Sequence, residues 1–239
     1  MEWQDQGVLL SVRRYGESAA IIEVFTEHHG RHAGLVRGGG SRKSAGLLQA
    51  GTQLSLAWRA RLEDQLGTFS VELKSSRSAA LLSERSKLYA FNALSAMLSR
   101  YLPEREPELG LYHSCIDLLN RFENNEFWQH KFCLFELEFL GALGYGIDLS
   151  ECAVSGQTHD LTYVSPKSGR AVGAEAAQGY EDRLLVYPAF LQVPELRQIS
   201  ASEFQDSLKL SGHFFEKWIP TRQPNLPEAR QRLLELVQR

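Results

Sequence analysis

TQLSLAWRARLEDQLGTFSVELK, residues 52–74, reads as two β-strands and the turn that joins them. From Thr52 to Leu62, the residues Leu54, Leu56, Trp58, Ala60 and Leu62 alternate with Ser55, Arg59 and Arg61. From Gly67 to Lys74, Phe69, Val71 and Leu73 stand opposite Ser70, Glu72 and Lys74. A period of two sends one row of side chains into a core and the other into water. Three further runs precede this pair. Gly7 to Arg13 is one, and Ala19 to Thr26 lies between the turn signals Tyr15-Gly16-Glu17-Ser18 and Glu27-His28-His29-Gly30. The third, Arg31 to Val36, stops at Gly38-Gly39-Gly40. Five short strands in about seventy-five residues predict a small barrel of the five-stranded OB type. Sandwiches and SH3-like barrels produce related patterns.

After Ser75 the period becomes helical. Leu88, Phe91, Leu94, Ser95, Leu98, Tyr101 and Leu102 recur at steps of three and four up to Pro103. Leu111, Cys115, Leu118, Leu119 and Phe122 repeat the pattern after Pro107. Phe127 to Leu143 is apolar on nearly every face, the signature of a buried bundle helix, and it closes at Gly144-Tyr145-Gly146. Two more helices are expected, one from an N-cap at Ser202 to Trp218 and one after Pro227. The reading is an α+β protein: a barrel domain over 1–78, then a helical domain over 79–239 with an irregular insert at about 147–195.

With 43% apolar and 23% charged residues, the composition is that of a globular protein. No window approaches a membrane span; the richest, Leu184 to Val193, is too short. The start Met1-Glu2-Trp3-Gln4-Asp5 lacks a signal-peptide pattern. Three scattered cysteines, Cys115, Cys133 and Cys152, suggest no disulfide framework, so a cytoplasmic protein is expected.

The net charge of -3 argues mildly against a nucleic-acid partner, but its distribution does not. From His28 to Leu62 there is no Asp or Glu, whereas Arg31, Arg37, Arg42, Lys43, Arg59 and Arg61 all lie inside. Basic side chains on a barrel face and its loops bind single strands by neutralising phosphates. A solvated basic face without a partner is the plain alternative. Candidates for base stacking are few: Trp58 points inward by the alternation, leaving Phe25 and Tyr15. Gly38-Gly39-Gly40-Ser41-Arg42-Lys43-Ser44 fails as a phosphate-binding P-loop, because Arg42 stands where that motif needs glycine. His28, His29 and His32 cluster in a strand connection and read as solvated, with no carboxylate or thiolate at ligand spacing. Glu136 and Glu138, two apart on a helix, do not share a face. No nucleophile elbow or HExxH motif appears, so neither catalysis nor a small-molecule substrate is expected.

Several stretches resemble one family. Gly7-Val8-Leu9-Leu10-Ser11-Val12-Arg13-Arg14-Tyr15-Gly16-Glu17 with Ala20-Ile21-Ile22-Glu23-Val24-Phe25-Thr26 is similar to the opening hairpin of RecO proteins, as is His29-Gly30-Arg31 running into Gly34-Leu35-Val36-Arg37-Gly38. Phe135-Glu136-Leu137, Leu140 and Leu143-Gly144-Tyr145-Gly146 resemble that family's central helix. Cys152-Ala153-Val154-Ser155-Gly156 and Ser165-Pro166-Lys167-Ser168-Gly169 fall where many members carry a zinc-binding insert. The resemblance implies an OB barrel, a helical bundle and a small β-rich insert. It also implies binding to single- and double-stranded DNA, annealing of complementary strands, and action with RecR to load a RecA-type recombinase onto DNA coated with single-strand-binding protein. Contact with that protein's acidic tail is implied too, with Arg121, Lys131 and Phe132 as the suggested spot. One departure stands out. Zinc-bearing relatives have two Cys-x-x-Cys pairs, but here Cys152 is followed by Ser155, and Gly173 and Ala176 hold the other places. One thiolate does not hold a structural zinc, so no metal or other cofactor is expected, and packing around Tyr163, Val164, Val172 and Tyr180 is expected to hold a degenerate zinc-finger-like insert. A protein-binding adaptor without nucleic-acid contact and an RNA-binding barrel module remain the competing readings.

Overall fold

The computed structural model describes residues 1–193 and 195–238, and of Lys43 only the backbone. The described residues form two compact units that divide between Asn124 and Asn125.

The first unit is built on a closed five-stranded barrel in the order β1-β2-β3-β5-β4. Its strands are β1 (Glu2–Tyr15), β2 (Ala19–Thr26), β3 (Arg31–Val36), β4 (Gln53–Arg59) and β5 (Thr68–Ser75). β2 and β3 fall where the runs between turn residues place them. β1 starts five residues earlier than Gly7, because Glu2–Gln6 pair with Arg59–Ser55 of β4 although their sequence lacks an apolar stripe. Closure comes from a short parallel pairing of Leu35 with Thr68 and Val36 with Phe69. It leaves no open sheet edge. The interior is Leu9, Ile22, Val24, Leu54, Trp58 and Phe69, among others, all buried. β1 carries a bulge between Leu9 and Ser11. The extra residue there lets Leu9 and Leu10 both be buried, and the Leu10 carbonyl accepts a 2.8 Å bond from the Ser95 hydroxyl.

Ser95 lies on α3 (Arg85–Tyr101), which follows the short helices α1 (Arg42–Ala45) and α2 (Ser78–Ser83) and precedes α4 (Leu109–Asn124). α4 is fixed to the barrel by the buried Arg77, which donates to Asn120 Oδ1 at 2.6 Å and to Gln53 Oε1, and by Tyr112 edge-on to Phe25. The expected domain boundary near residue 78 lies within this unit, at the change from sheet to helix.

In the second unit, α5 (Trp128–Ala142), α6 (Ala201–Lys217) and α7 (Glu228–Val237) form the helical body. α5 is buried on nearly every side and closes at Gly144, whose φ is +83°. The N-cap of α6 is Ser200, two residues before the expected Ser202, because Ser200 and Glu203 form a reciprocal capping box. The insert between α5 and α6 is a four-stranded sheet, β6 (Asp148–Cys152), β8 (Arg170–Gly173), β7 (Leu161–Val164) and β9 (Leu185–Val186) in spatial order. No helix among the described residues is long and apolar enough to cross a membrane.

Candidate nucleic-acid interface

The end of β4, the turn to β5 and the start of β1 frame an open groove of about 930 Å³. Three of the six basic residues singled out from the sequence, Arg37, Arg59 and Arg61, line it. Arg37 follows the last residue of β3 and is there because Val36 pairs with Phe69 at the barrel's closure. Arg59 ends β4, and Arg61 lies beyond it in the turn, not on the shared strand face that the alternation predicts. Arg59 pairs with Glu2 at 2.7 Å, both side chains being largely exposed. A surface pair of this kind is worth about 1 kcal/mol or less, so it holds Arg59 only weakly. Arg37 and Arg61 have no ion-pair partner among the described residues. Glu63 and Asp64 at the turn's tip offset part of the positive charge.

Aromatic packing gives the groove a rigid floor. Trp58 is buried, as its place in the alternation predicts, and donates its indole N–H to Leu66 O at 3.1 Å. Gly67, at φ +67°, passes so close that a Cβ would meet Trp58 Nε1 at 2.3 Å. Trp3, half-buried, lines the groove and stacks on Trp58 with centroids 5.6 Å apart. The turn carrying Arg61 is fastened from outside by Arg105, whose guanidinium donates to Gln65 O at 2.9 Å and to Glu63 O.

A second basic cluster adjoins β3 on its other side. Arg14 of β1 pairs with Ala20 of β2, which pairs with Val36 of β3. The Gly40 N–H donates to Ser18 O at 3.0 Å, holding the three-glycine loop against the β1–β2 turn. Arg13, Arg14 and Tyr15 are exposed on that hairpin, and Arg42 is exposed on α1 beside it. α1 is anchored by its N-cap Ser41 and by Ser44, whose hydroxyl donates to Gly38 O at 2.8 Å. The Lys43 side chain lies outside the described residues.

Other candidates go elsewhere. Arg31 is a fastener: it pairs with Glu23 and Glu104 and donates through Nε to Leu102 O at 2.8 Å, tying the barrel to the end of α3. Phe25 is fully buried, whereas Tyr15 is exposed. Of the suggested tail-binding spot, Phe132 is 0% exposed and packs edge-on to Phe204, so its ring offers no surface. Lys131 pairs with Glu138 and Arg121 with Asp117. Trp3, Arg13, Arg14 and Arg105 escape a search for acid-free windows, since Glu2, Asp5, Glu17, Glu104 and Glu106 surround them.

A five-stranded barrel with an arginine-lined, tryptophan-floored groove, followed by helices, is the setting in which the comparisons with known proteins fall. The family described as Recombination protein O N terminal matches residues 1–77, and Recombination protein O C terminal matches residues 82–226. The chain belongs to the RecO family. It is 48% identical to a protein of Ruegeria sp. (strain TM1040) named DNA repair protein RecO, over 100% of this chain and 99% of that protein. A Cereibacter sphaeroides protein of the same name is 49% identical over 100% of both chains, and one from Mesorhizobium japonicum is 41% identical over 100% of this chain and 94% of its own.

Within this RecO-family chain the insert does not suit a structural zinc. Cys152 Sγ accepts the Gly173 N–H at 3.3 Å, and a Cβ on Gly173 would lie 3.8 Å from that sulfur, so the fold brings the two halves of the insert together. Ser155, Gly173 and Ala176 line one hollow beside it, yet none supplies a thiolate. Burial raises the pKa of the Cys152 thiol, but hydrogen bonds from Ser155 and from the backbone N–H groups of Gly173, Ser155 and Val154 outweigh it and hold it at about 7. Packing involves Val164 and Val172, as expected, with Leu161, Ala171 and Ala177. Tyr180 is 58% exposed and takes no part.

Proposed function

We propose that this chain is a recombination mediator in DNA repair that binds single- and double-stranded DNA and anneals complementary strands without catalysing a reaction. In this reading it acts in the cytoplasm with RecR, and helps a RecA-type recombinase onto DNA covered by single-strand-binding protein, whose acidic tail it contacts. Membership of the RecO family and the name of its relatives, DNA repair protein RecO, support the repair role. The observation that carries the binding role is the convergence of Arg37, Arg59 and Arg61 on one groove of the barrel, with Trp3 in its wall. Two complementary strands repel each other through their phosphates, and a surface that neutralises both lowers that barrier. The exposed Arg13, Arg14 and Arg42 extend the basic surface past β3, giving room for a second strand.

The test is fluorescence anisotropy of a labelled single-stranded oligonucleotide across a salt series. Each phosphate contact contributes about 0.7 to the slope of log affinity against log salt. The Arg37→Gln/Arg61→Gln protein is expected to lose about 1.4 from that slope with its fold intact. An unchanged slope removes the groove from the interface, and failure of the unmodified chain to bind at low salt favours a protein-binding adaptor.

A further inference from the structure

Outside the groove, the turn between β2 and β3 gathers an unusual set of side chains. His28 Nδ1 lies 3.2 Å from Asp5 Oδ1 and 3.7 Å from Glu27 Oε2. Among the described residues, this is the one group of three such side chains whose ligand atoms all lie within 4.8 Å of one another. A tetrahedral ion with ligands at about 2.0–2.1 Å separates neighbouring donor atoms by roughly 3.3 Å. The two separations from His28 bracket that value, and all three ligand atoms lie within 4.8 Å of one another.

We propose that Asp5, Glu27 and His28 form a binding site for one divalent transition-metal ion of the zinc class. The two carboxylates cancel the charge of the ion, and the imidazole donor favours a borderline cation over magnesium or calcium, which take oxygen ligands. The supporting shell is already in place. The free oxygen of Asp5 is held by His29 Nδ1 at 2.8 Å and by the His28 N–H at 2.9 Å, and Oδ1 also accepts the Gln6 N–H at 2.8 Å. Glu27 Oε1 meets His113 Nε2 at 3.0 Å, while Gln6 Nε2 donates to Oε2. Ligating carboxylates hydrogen-bonded in this way are oriented before the ion arrives.

The local backbone is fixed as well. Thr26 Oγ1 donates to Gly30 O at 2.8 Å and accepts the His29 N–H at 3.1 Å. Gly30, at φ +64°, packs so tightly that a Cβ would come 2.2 Å from Glu106 O. The Asp5 side chain is only 1% exposed, whereas His28 is 62% exposed, so an ion would enter from solvent and keep a water in its fourth position.

The experiment titrates the tag-free, chelator-treated full chain with Zn²⁺ against a chromogenic chelator, with Mg²⁺ as the control ion. One Zn²⁺ per chain is expected, and Mg²⁺ should not compete. His28→Ala, at an exposed position, should weaken binding by tenfold or more while the metal-free chain keeps its folded circular-dichroism spectrum. His113→Ala, which removes an outer hydrogen bond, should weaken it by about tenfold. Cys152→Ser separates this site from the insert and should leave the affinity unaltered. The proposal fails if the unmodified chain does not bind Zn²⁺, if His28→Ala binds as tightly as the parent, or if Cys152→Ser alone abolishes binding.

Discussion

His32 shows how a single residue of a polar turn ends up with a different task from its neighbours. While His28 and His29 face the carboxylates of Asp5 and Glu27, His32 points into the barrel, edge-on to Trp3, Trp58 and Phe69. Both its ring nitrogens are buried without a hydrogen-bond partner. Burial, with the charges of Arg105 and His29, lowers its pKa from 6.5 to about 4. The unfolded chain therefore takes up a proton near pH 6.5 that the folded chain refuses until about pH 4. Stability falls as pH drops through that window, by up to roughly 3 kcal/mol. His32→Leu should remove most of this acid-side loss, measured as urea unfolding at pH 7 and pH 5. An identical pH dependence in the variant would show that His32 is not its source. The lowered carboxyls of Asp5 and Glu27 act at lower pH, contributing stability that disappears as each is protonated.

Among the elements, α5, α6 and α7 are joined by one buried ionic contact. Arg230 of α7 donates to both oxygens of Glu136 on α5, at 2.6 and 2.8 Å, and to Leu208 O of α6 at 2.9 Å. The Ser211 hydroxyl of α6 donates to the same carboxylate at 2.6 Å. Arg230 is 0% exposed and Glu136 2%. Removing one partner strands a charge in the helical core, so Arg230→Met should cost about 3–5 kcal/mol in chemical unfolding. The double replacement Glu136→Leu/Arg230→Met should recover most of that loss, since both desolvation penalties vanish together. A double variant no more stable than the single would mean that packing, not charge, sets the cost. Glu136 and Glu138 divide as their spacing suggests, one buried and one exposed beside Lys131.

For the molecule as a whole, a net charge of -3 coexists with a basic barrel surface, so the sum conceals the distribution. The groove and the hairpin cluster flank β3, one holding Arg37, Arg59 and Arg61 and the other Arg13, Arg14 and Arg42. If each takes one strand, Arg14→Glu/Arg42→Glu should slow strand annealing by more than it weakens binding of one short oligonucleotide. Annealing followed by fluorescence quenching at fixed salt, beside anisotropy, separates the two quantities. Equal losses in both would place a single strand across the whole surface.

Periodicity determined β4, β5, the inward Trp58 and the apolar α5, and turn residues marked off the three earlier strands, because burial on one face or on all faces writes itself into residue spacing. The family was legible too, from short motifs kept in order along the chain. Tertiary structure decided which arginines meet. Arg31 and Arg37 look alike in the sequence, yet one is spent on Glu23, Glu104 and Leu102 O while the other faces the groove. It also brought Asp5 to His28 across 23 positions, through the pairing of β1 with β2. Spacing cannot report such meetings, since strand pairing joins residues whose separation along the chain depends on the turns between them. An acid-free window therefore finds a basic stretch, and the closure of the barrel selects the part of it that faces outward.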